Sequence, residues 1–162
     1  MPRSQVLWEL GGFAAILAVS VDFEVHAQSK SWDRIANIRT SAKALAELQV
    51  AKGALGTYEF IASCYKTHEL GSQYGAALEG CLVLDYLHSK VTAAVYEKLP
   101  PGERDRLGLP APDDLVGAML KRVGGAMATY RITEVQARKF VAEIETHGLP
   151  VFAKARFPKG EE

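Results

Sequence analysis

Residues 72–99 read SQYGAALEGCLVLDYLHSKVTAAVYEKL and contain the longest helical pattern of the chain. The apolar side chains recur there at helical spacing and form one wide stripe, made of Tyr74, Leu78, Cys81, Leu82, Leu84, Leu87, Val91, Val95 and Leu99. Pro100 and Pro101 follow directly, and a proline ring cannot continue a helix. A stripe of this width indicates a helix at the centre of a bundle.

Two helices are predicted on the amino-terminal side of this pattern. In residues 31–52 the apolar residues recur at spacings of three and four, Ser31 is placed to cap the start, and Gly53 is placed to end the helix. The second helix covers residues 54–69, with an apolar face at Leu55, Tyr58, Ala62 and Tyr65. Together with residues 72–99, the second helix forms a helical hairpin.

The carboxyl-terminal side begins with a predicted loop. Residues 100–112 read PPGERDRLGLPAP, hold four of the seven prolines and show no helical period, so we interpret them as a crossover between two helical hairpins. A fourth helix is expected over residues 112–130, because Pro112 and the acidic pair after it suit a helix amino terminus. The glycines at 124 and 125 mark either a close helix contact or a kink.

A fifth helix opens at Thr133, whose spacing to Gln136 is that of a capping box, and is expected to end at Gly148. Strand patterns are nearly absent from the chain. The five spans predict an all-α protein, a small bundle of about five helices with the hairpin at its centre.

The first 27 residues have the pattern of a secretory signal. Arg3 precedes a charge-free run over residues 10–21, LGGFAAILAVSV, and residues 25–27, Val-His-Ala, place small side chains at the −3 and −1 positions of a cleavage site. The run is too short to span a bilayer as a helix, which needs roughly 20 apolar residues. We therefore expect cleavage after Ala27, export to the periplasm or the extracellular space, and a single helical domain at 28–162 without a transmembrane span. The other interpretation is a buried helix or strand at the start of a cytoplasmic protein.

Composition and charge exclude one broad class of partner. The chain has 162 residues with 48% hydrophobic side chains, which is typical of one globular domain. Its 19 basic and 19 acidic side chains leave no excess of positive charge to neutralise phosphates, so no nucleic-acid partner is expected. The middle of the chain, residues 53–120, carries 9 acidic against 5 basic side chains, whereas both flanking segments are basic.

The two cysteines, Cys64 and Cys81, fall on either side of the bend of the predicted hairpin. An antiparallel hairpin brings such positions opposite one another, and export would place them in an oxidising compartment. We therefore predict a disulfide between them, with two buried free thiols as the alternative. The spacing excludes Cys-x-x-Cys redox chemistry.

One cluster of polar side chains offers a possible metal site. Asp85 and His88 lie three apart on the long helix, Glu79 lies further back, and His68 ends the preceding helix. This spacing resembles half of a carboxylate-bundle motif, but no second copy occurs. The alternative is that His88 is a partly exposed helix residue oriented by Asp85. No phosphate loop or Ser-His-Asp arrangement is found, and no cofactor is expected.

Five of the six tyrosines concentrate on the hairpin, and Tyr58 and Tyr65 share one face. Such a row can form a surface for a partner, or it can fill the core with hydroxyl groups at the edge. The sequence favours an exported, non-enzymatic protein that binds a protein or envelope partner through the hairpin. The alternative is a metal-dependent helical enzyme or metal-binding protein that uses His68, Asp85 and His88.

Overall fold

The computed structural model of the protein describes residues 32–68 and 74–158. Both described parts are helical and contain no strand. The helices are α1 (Arg34–His68), α2 (Ala76–Glu97), α3 (Pro101–Arg106), α4 (Pro112–Thr129), α5 (Glu134–Glu143) and α6 (Leu149–Arg156). The all-α bundle with a disulfide-linked hairpin is therefore confirmed. The predicted signal segment lies outside the described residues.

Helix α1 is bent at Gly53 into two arms, a first arm over residues 34–52 and a second arm over residues 54–68. Gly53 has φ of 66°, in the left-handed region that glycine enters without a steric penalty. This residue is the one expected to end the first predicted helix, and the break is real. It lets both arms of one chain segment pack on the same central helix.

Helix α2 lies at the centre of the bundle. Every residue from 78 to 89 is buried, which requires neighbours on all of its faces. The first arm runs parallel to α2, since Asn37 bonds to the carbonyl of Ala76 and Gln49 lies 3.1 Å from the ring of His88. The second arm is tied to α2 by the disulfide, and α4 packs on a further face.

Helices α5 and α6 are joined by one π-helical turn, Ile144–Gly148, so the predicted end of the fifth helix at Gly148 is wrong. The wider turn places Gly148 against the core, where a Cβ atom would lie 3.1 Å from Ile38 Cγ2 and 3.4 Å from Leu87 Cδ1. Glycine is thus used here for close packing and not for termination. Pro150 is tolerated because it stands in the first turn of α6, which packs on α1.

The predicted loop over residues 100–112 also contains a helix, α3, with Pro101 in its first turn. Arg104 of this helix donates to the carbonyls of Tyr96 and Leu99, so the short helix caps the end of α2. The prediction of a loop without a helix was wrong because Pro101 was interpreted only as a helix breaker. Helix α4 continues through Gly124 and Gly125, whose added Cβ atoms would meet nothing within 4 Å.

Thr133 begins α5 with the predicted capping box, in which its hydroxyl accepts from the backbone N–H of Gln136 and its own N–H donates to the Gln136 side chain. In the part of the chain that the structure describes, no helix combines the length and apolarity that crossing a bilayer requires.

Candidate functional site

The predicted disulfide is present, with the Cα atoms of Cys64 and Cys81 5.8 Å apart. It joins the second arm of α1 to α2 and closes a segment with a sequence separation of 17. Cys81 is fully buried, whereas Cys64 is only partly buried, because it faces an open groove. The bridge is therefore a wall of this groove as well as a link between helices.

The groove lies between the two arms of α1 and is floored by α2, and we call it the disulfide groove. Its volume is about 550 Å³. The largely apolar lining includes Ala44, Leu48 and Ala51 of the first arm, Phe60 and Cys64 of the second arm, and Ala77, Gly80 and Leu84 of α2. A cavity of this size and character is within the range of natural binding sites.

Small side chains keep the disulfide groove open along its length. On the first arm the lining extends from Asn37 to Ala51, a rise of roughly 21 Å at 1.5 Å per residue. On α2, Gly80 allows the first arm to come close, since a Cβ atom there would lie 3.2 Å from Ser41 Oγ. The aromatic ring of Phe60 is 39% exposed at the opposite wall.

Asp85, on the buried part of α2, is the centre of a closed polar network. Arg122 of α4 donates to both of its carboxylate oxygens, from Nε to Oδ2 at 2.9 Å and from Nη2 to Oδ1 at 2.7 Å. Tyr65 donates to Oδ2 at 3.1 Å and Ser89 to Oδ1 at 3.2 Å. Two arginine bonds in parallel are the strongest pairing a carboxylate finds in a protein, so Asp85 ties α2 to α4 and to the second arm.

His88 lies one turn beyond Asp85 and is buried, not partly exposed. Its Nδ1 faces Gln49 Nε2 at 3.1 Å, an arrangement in which the neutral ring accepts a hydrogen bond from the amide. Burial lowers the pKa of His88, and Arg122 lowers it further, although Asp85 acts in the opposite direction. His88 therefore resists protonation and is part of the core.

Glu79 is fully buried near the start of α2 and is satisfied by four different side chains. Oε1 accepts from Trp32 Nε1 at 2.7 Å and from Asn37 Nδ2 at 3.1 Å. Oε2 accepts from Arg34 Nε at 2.8 Å and from the Tyr74 hydroxyl at 3.2 Å. Burial, and then the charge of Glu79, raises the pKa of Tyr74, so its hydroxyl keeps the donated proton.

The four metal candidates are not brought together. Glu79 and Asp85 are each held by an arginine and by neutral donors, and His88 bonds with Gln49. Among residues 32–68 and 74–158, the one group of three side chains with metal-ligand atoms mutually within 4.8 Å is Cys64, His68 and Cys81. Its two sulfur atoms are bonded to each other, so they are not thiolate ligands.

The two tyrosines proposed as a partner surface have different environments. Tyr58 is 48% exposed, and the guanidinium of Arg122 lies 5.8 Å from its ring centroid. Tyr65 is 8% exposed and its hydroxyl is part of the Asp85 network. Tyr65 therefore belongs to the core, and the exposed row of two tyrosines does not form.

Sequence reasoning did not single out Phe60 of the groove or the two arginines, Arg34 and Arg122, that hold the buried carboxylates. Both arginines lie far from their partners along the chain, 45 and 37 residues away. The signal available in the sequence was that Glu79 and Asp85 lie within the helix predicted at the centre of the bundle, where a buried carboxylate requires partners from other helices.

Comparisons with protein-family models, with curated proteins and with solved structures gave no match to this chain.

Proposed function

We propose that this chain is an exported binding protein that takes an apolar helical segment of a protein partner into the disulfide groove. The observation that carries the proposal is the groove itself, an apolar trough between two arms of one bent helix. Helix-in-groove recognition depends on such a trough, because the partner buries one apolar face and keeps its polar face in water.

The shape of the groove favours a helix over an extended peptide or a small molecule. Its length of roughly 21 Å corresponds to about four turns of helix. Alanine and glycine at positions 44, 51, 77 and 80 allow the side chains of a partner to enter between the arms. The exposed ring of Phe60 supplies an aromatic anchor of the kind that dominates binding energy at interfaces.

The polar lining of the groove favours binding of a partner over catalysis. Within the described ranges, 32–68 and 74–158, it consists of Asn37, Thr40, Ser41 and the exposed Glu47. This set offers one carboxylate and no second acid, base or activated nucleophile beside it, which acid–base or nucleophilic catalysis requires. Asn37 is already bonded to Glu79 and to the Ala76 carbonyl.

Export is the part of the proposal that rests on sequence. The charge-free run over residues 10–21 and the Val-His-Ala site predict cleavage after Ala27, and a disulfide fits an oxidising compartment. Intact-mass measurement on protein from the exported fraction should give Gln28 as the first residue. Finding Met1 retained on cytoplasmic protein would contradict this part and leave the groove unaffected.

The groove is tested with a photo-crosslinking amino acid in place of Ala51, an exposed lining residue. We expect one dominant adduct in the producing cell, whose crosslinked peptide has apolar residues at helical spacing of three and four. The substitution Ala77→Trp fills the groove from α2 and should abolish the adduct.

Matched controls use exposed alanines outside the groove. Ala94→Trp on the same helix α2 should leave the adduct intact, and the crosslinker in place of Ala128 on α4 should give none. The proposal is wrong if the adduct survives Ala77→Trp, if the crosslinked peptide lacks a helical apolar pattern, or if it comes from a second copy of this chain.

A further inference from the structure

A second cavity, which we call the arginine cavity, lies at the end of the bundle where the chain enters α1 and leaves α4. Its volume is about 330 Å³. Aromatic rings and two arginines dominate its lining, which includes Trp32, Arg34, Tyr74, Tyr130, Arg131 and Phe140. None of these residues lines the disulfide groove, so the two cavities are separate.

Arg34 presents an open donor edge in the arginine cavity. Its Nε is used by Glu79, and its guanidinium lies 5.6 Å from the centroid of the Phe140 ring. Its Nη1 forms an ion pair with Glu143 Oε2 at 3.7 Å, a distance too long for a hydrogen bond, and neither terminal nitrogen donates a hydrogen bond to an acceptor among the described residues. The outer edge, with two terminal nitrogens side by side, has the geometry that binds a carboxylate through two parallel bonds.

Arg131 supplies the second cation, and it does so from an unusual backbone position. Its φ is 56°, the only positive φ at a non-glycine residue in the described part of the chain. The N–H of Ile132 bonds to the Met127 carbonyl and the N–H of Arg131 to the Ala128 carbonyl, so α4 ends in a Schellman motif with Arg131 at the position that normally holds glycine. Arginine at this backbone position makes the folded protein less stable than glycine would, and the arginine side chain lines the cavity.

Gln136 adds a further donor to the lining. Gln136 Oε1 accepts from the backbone and hydroxyl of Thr133, and its amide nitrogen has no acceptor in the part of the chain that the structure describes. Arg131 forms no ion pair with any described residue, whereas the charge of Arg34 is balanced by Glu79 and Glu143. Arg131 is therefore the cation of the cavity lining whose charge no described carboxylate balances.

The aromatic walls define the remainder of the ligand. The ring of Tyr74 lies 5.8 Å from that of Trp32 and 5.9 Å from that of Tyr130, with tilts of 47° and 57° between the planes. Flat rings of this kind attract a flat ring on a ligand. From the two arginines and these rings, we infer that the arginine cavity binds a small aromatic carboxylate, with its charge at Arg34 and Arg131 and its ring against the tyrosines.

Benzoate is the probe, and Trp32 is the reporter. The chain has two tryptophans, Trp8 and Trp32, so the full chain carrying Trp8→Phe leaves one fluorophore at the cavity wall. Titration with benzoate at constant ionic strength should quench or shift the fluorescence of Trp32 saturably. Benzamide, which has the ring without the charge, and acetate, which has the charge without the ring, should each bind at least about tenfold more weakly.

The decisive variant is Arg131→Gly. This variant should lower the affinity for benzoate by at least about tenfold. The midpoint of thermal unfolding should stay the same or rise, because this backbone position favours glycine. Arg131→Lys should restore part of the affinity, since lysine keeps the charge without the planar fork. Arg138→Ala, an exposed arginine of α5 outside the cavity, should bind as the parent does.

Three outcomes would overturn the inference: no saturable signal with benzoate, equal binding of benzamide and benzoate, or unchanged affinity in Arg131→Gly. The groove variant Ala77→Trp should bind benzoate normally. Failure of the proposed function at the disulfide groove and failure of this inference are thus distinguished.

Discussion

Glu79 and Asp85 are two fully buried carboxylates on one helix, and they are neutralised in different ways. Asp85 receives two bonds from the same arginine, Arg122, and lesser ones from two hydroxyl groups. Glu79 receives one bond from Arg34 and three from neutral donors. In one network the arginine donates two parallel hydrogen bonds to the carboxylate, and in the other only Nε of the arginine is hydrogen-bonded, while Nη1 pairs at 3.7 Å with Glu143.

This contrast separates a structural site from the site that we propose binds a ligand. Both nitrogens of Arg122 that face Asp85 are engaged, so its charge holds α4 on α2 and is not offered to a ligand. Trp32, Asn37 and Tyr74 donate the other three hydrogen bonds to the Glu79 carboxylate. The terminal nitrogens of Arg34 are therefore not needed at Glu79 and can face the arginine cavity. The terminal edge of Arg34, which donates no hydrogen bond to a described residue and lies beside aromatic rings, is therefore the feature that we propose for ligand binding.

The disulfide lies between the two networks, because Cys81 stands on α2 between Glu79 and Asp85. Of the changes considered, loss of the disulfide should lower the stability of the protein most. For a loop of this length the chain-entropy model gives about 3 kcal/mol, equivalent to a fall of about 10 °C in the midpoint for a domain of this size. Thermal unfolding of the Cys64→Ala, Cys81→Ala double variant measures it. Hydrogen exchange should show that the second arm, which reaches Asp85 through Tyr65, loses more protection than the first arm.

A fall of less than about 1 kcal/mol in the double variant, or equal loosening of both arms, would contradict this assignment. The single variant Cys64→Ala serves as a control for the partner thiol, since it removes the bridge and keeps Cys81 in the core. It should lose nearly as much stability as the double variant.

The second prediction breaks the Asp85 network directly. Arg122→Met keeps the aliphatic stem and leaves Asp85 buried with only two hydroxyl donors. Removing one partner of a buried pair costs about 3–5 kcal/mol, and the 34% exposure of the Arg122 side chain reduces this to about 2–3 kcal/mol. Urea unfolding measures the loss. Lys121→Met, at the exposed neighbouring position, is the control and should change the free energy of unfolding by less than about 0.5 kcal/mol.

The contrast between the networks is sharpened by the matching change at Glu79. Arg34→Met leaves three neutral donors on the carboxylate, so the loss should be smaller, about 1–2 kcal/mol, although Arg34 is exposed to a similar extent, 38% against 34%. Urea unfolding under the same conditions compares the two variants. A loss equal to or larger than that of Arg122→Met would show that Arg34 is as fully committed to its carboxylate as Arg122.

Local patterns predicted the parts of this fold that depend on neighbours in the chain. The Gly53 break, the Thr133 capping box and the Cys64–Cys81 bridge each depend on a few residues or on one hairpin, and all three are present. The continuation through Gly148 was missed because it depends on contacts with Ile38 and Leu87, which lie far away in the chain.

The candidate site was predicted less well than the fold for the same reason. Glu79 and Asp85 were selected as metal candidates, but a metal and an arginine satisfy a buried carboxylate equally well in a sequence pattern. Which one is used depends on Arg34 and Arg122, and helix packing brings these to α2. Tyr65 was a candidate for the partner surface but is buried in the core. The position of a tyrosine on a helix face does not show which other helix covers it.

The smallest effect expected is a pH dependence confined to the Asp85 side. Burial lowers the pKa of His88 below its usual value of 6.5, so the unfolded chain binds a proton more readily than the folded one. The contribution of His88 to the free energy of unfolding is therefore fully present above pH 6.5. It falls as the pH drops below that value, by at most about 1.4 kcal/mol per pH unit. Glu79 has no histidine among its donors, and the raised pKa of Tyr74 keeps that network unchanged in this window.

Urea unfolding of the parent and of His88→Gln at pH 7.5, 6.5 and 5.5 isolates this effect. The advantage of the parent over the variant should shrink as the pH falls, because glutamine takes up no proton in the unfolded state. His147→Gln on the π-helical turn is the matched control and should follow the parent. An advantage that stays constant or grows on acidification would mean that the folded protein accommodates the imidazolium, with Asp85 outweighing both burial and Arg122.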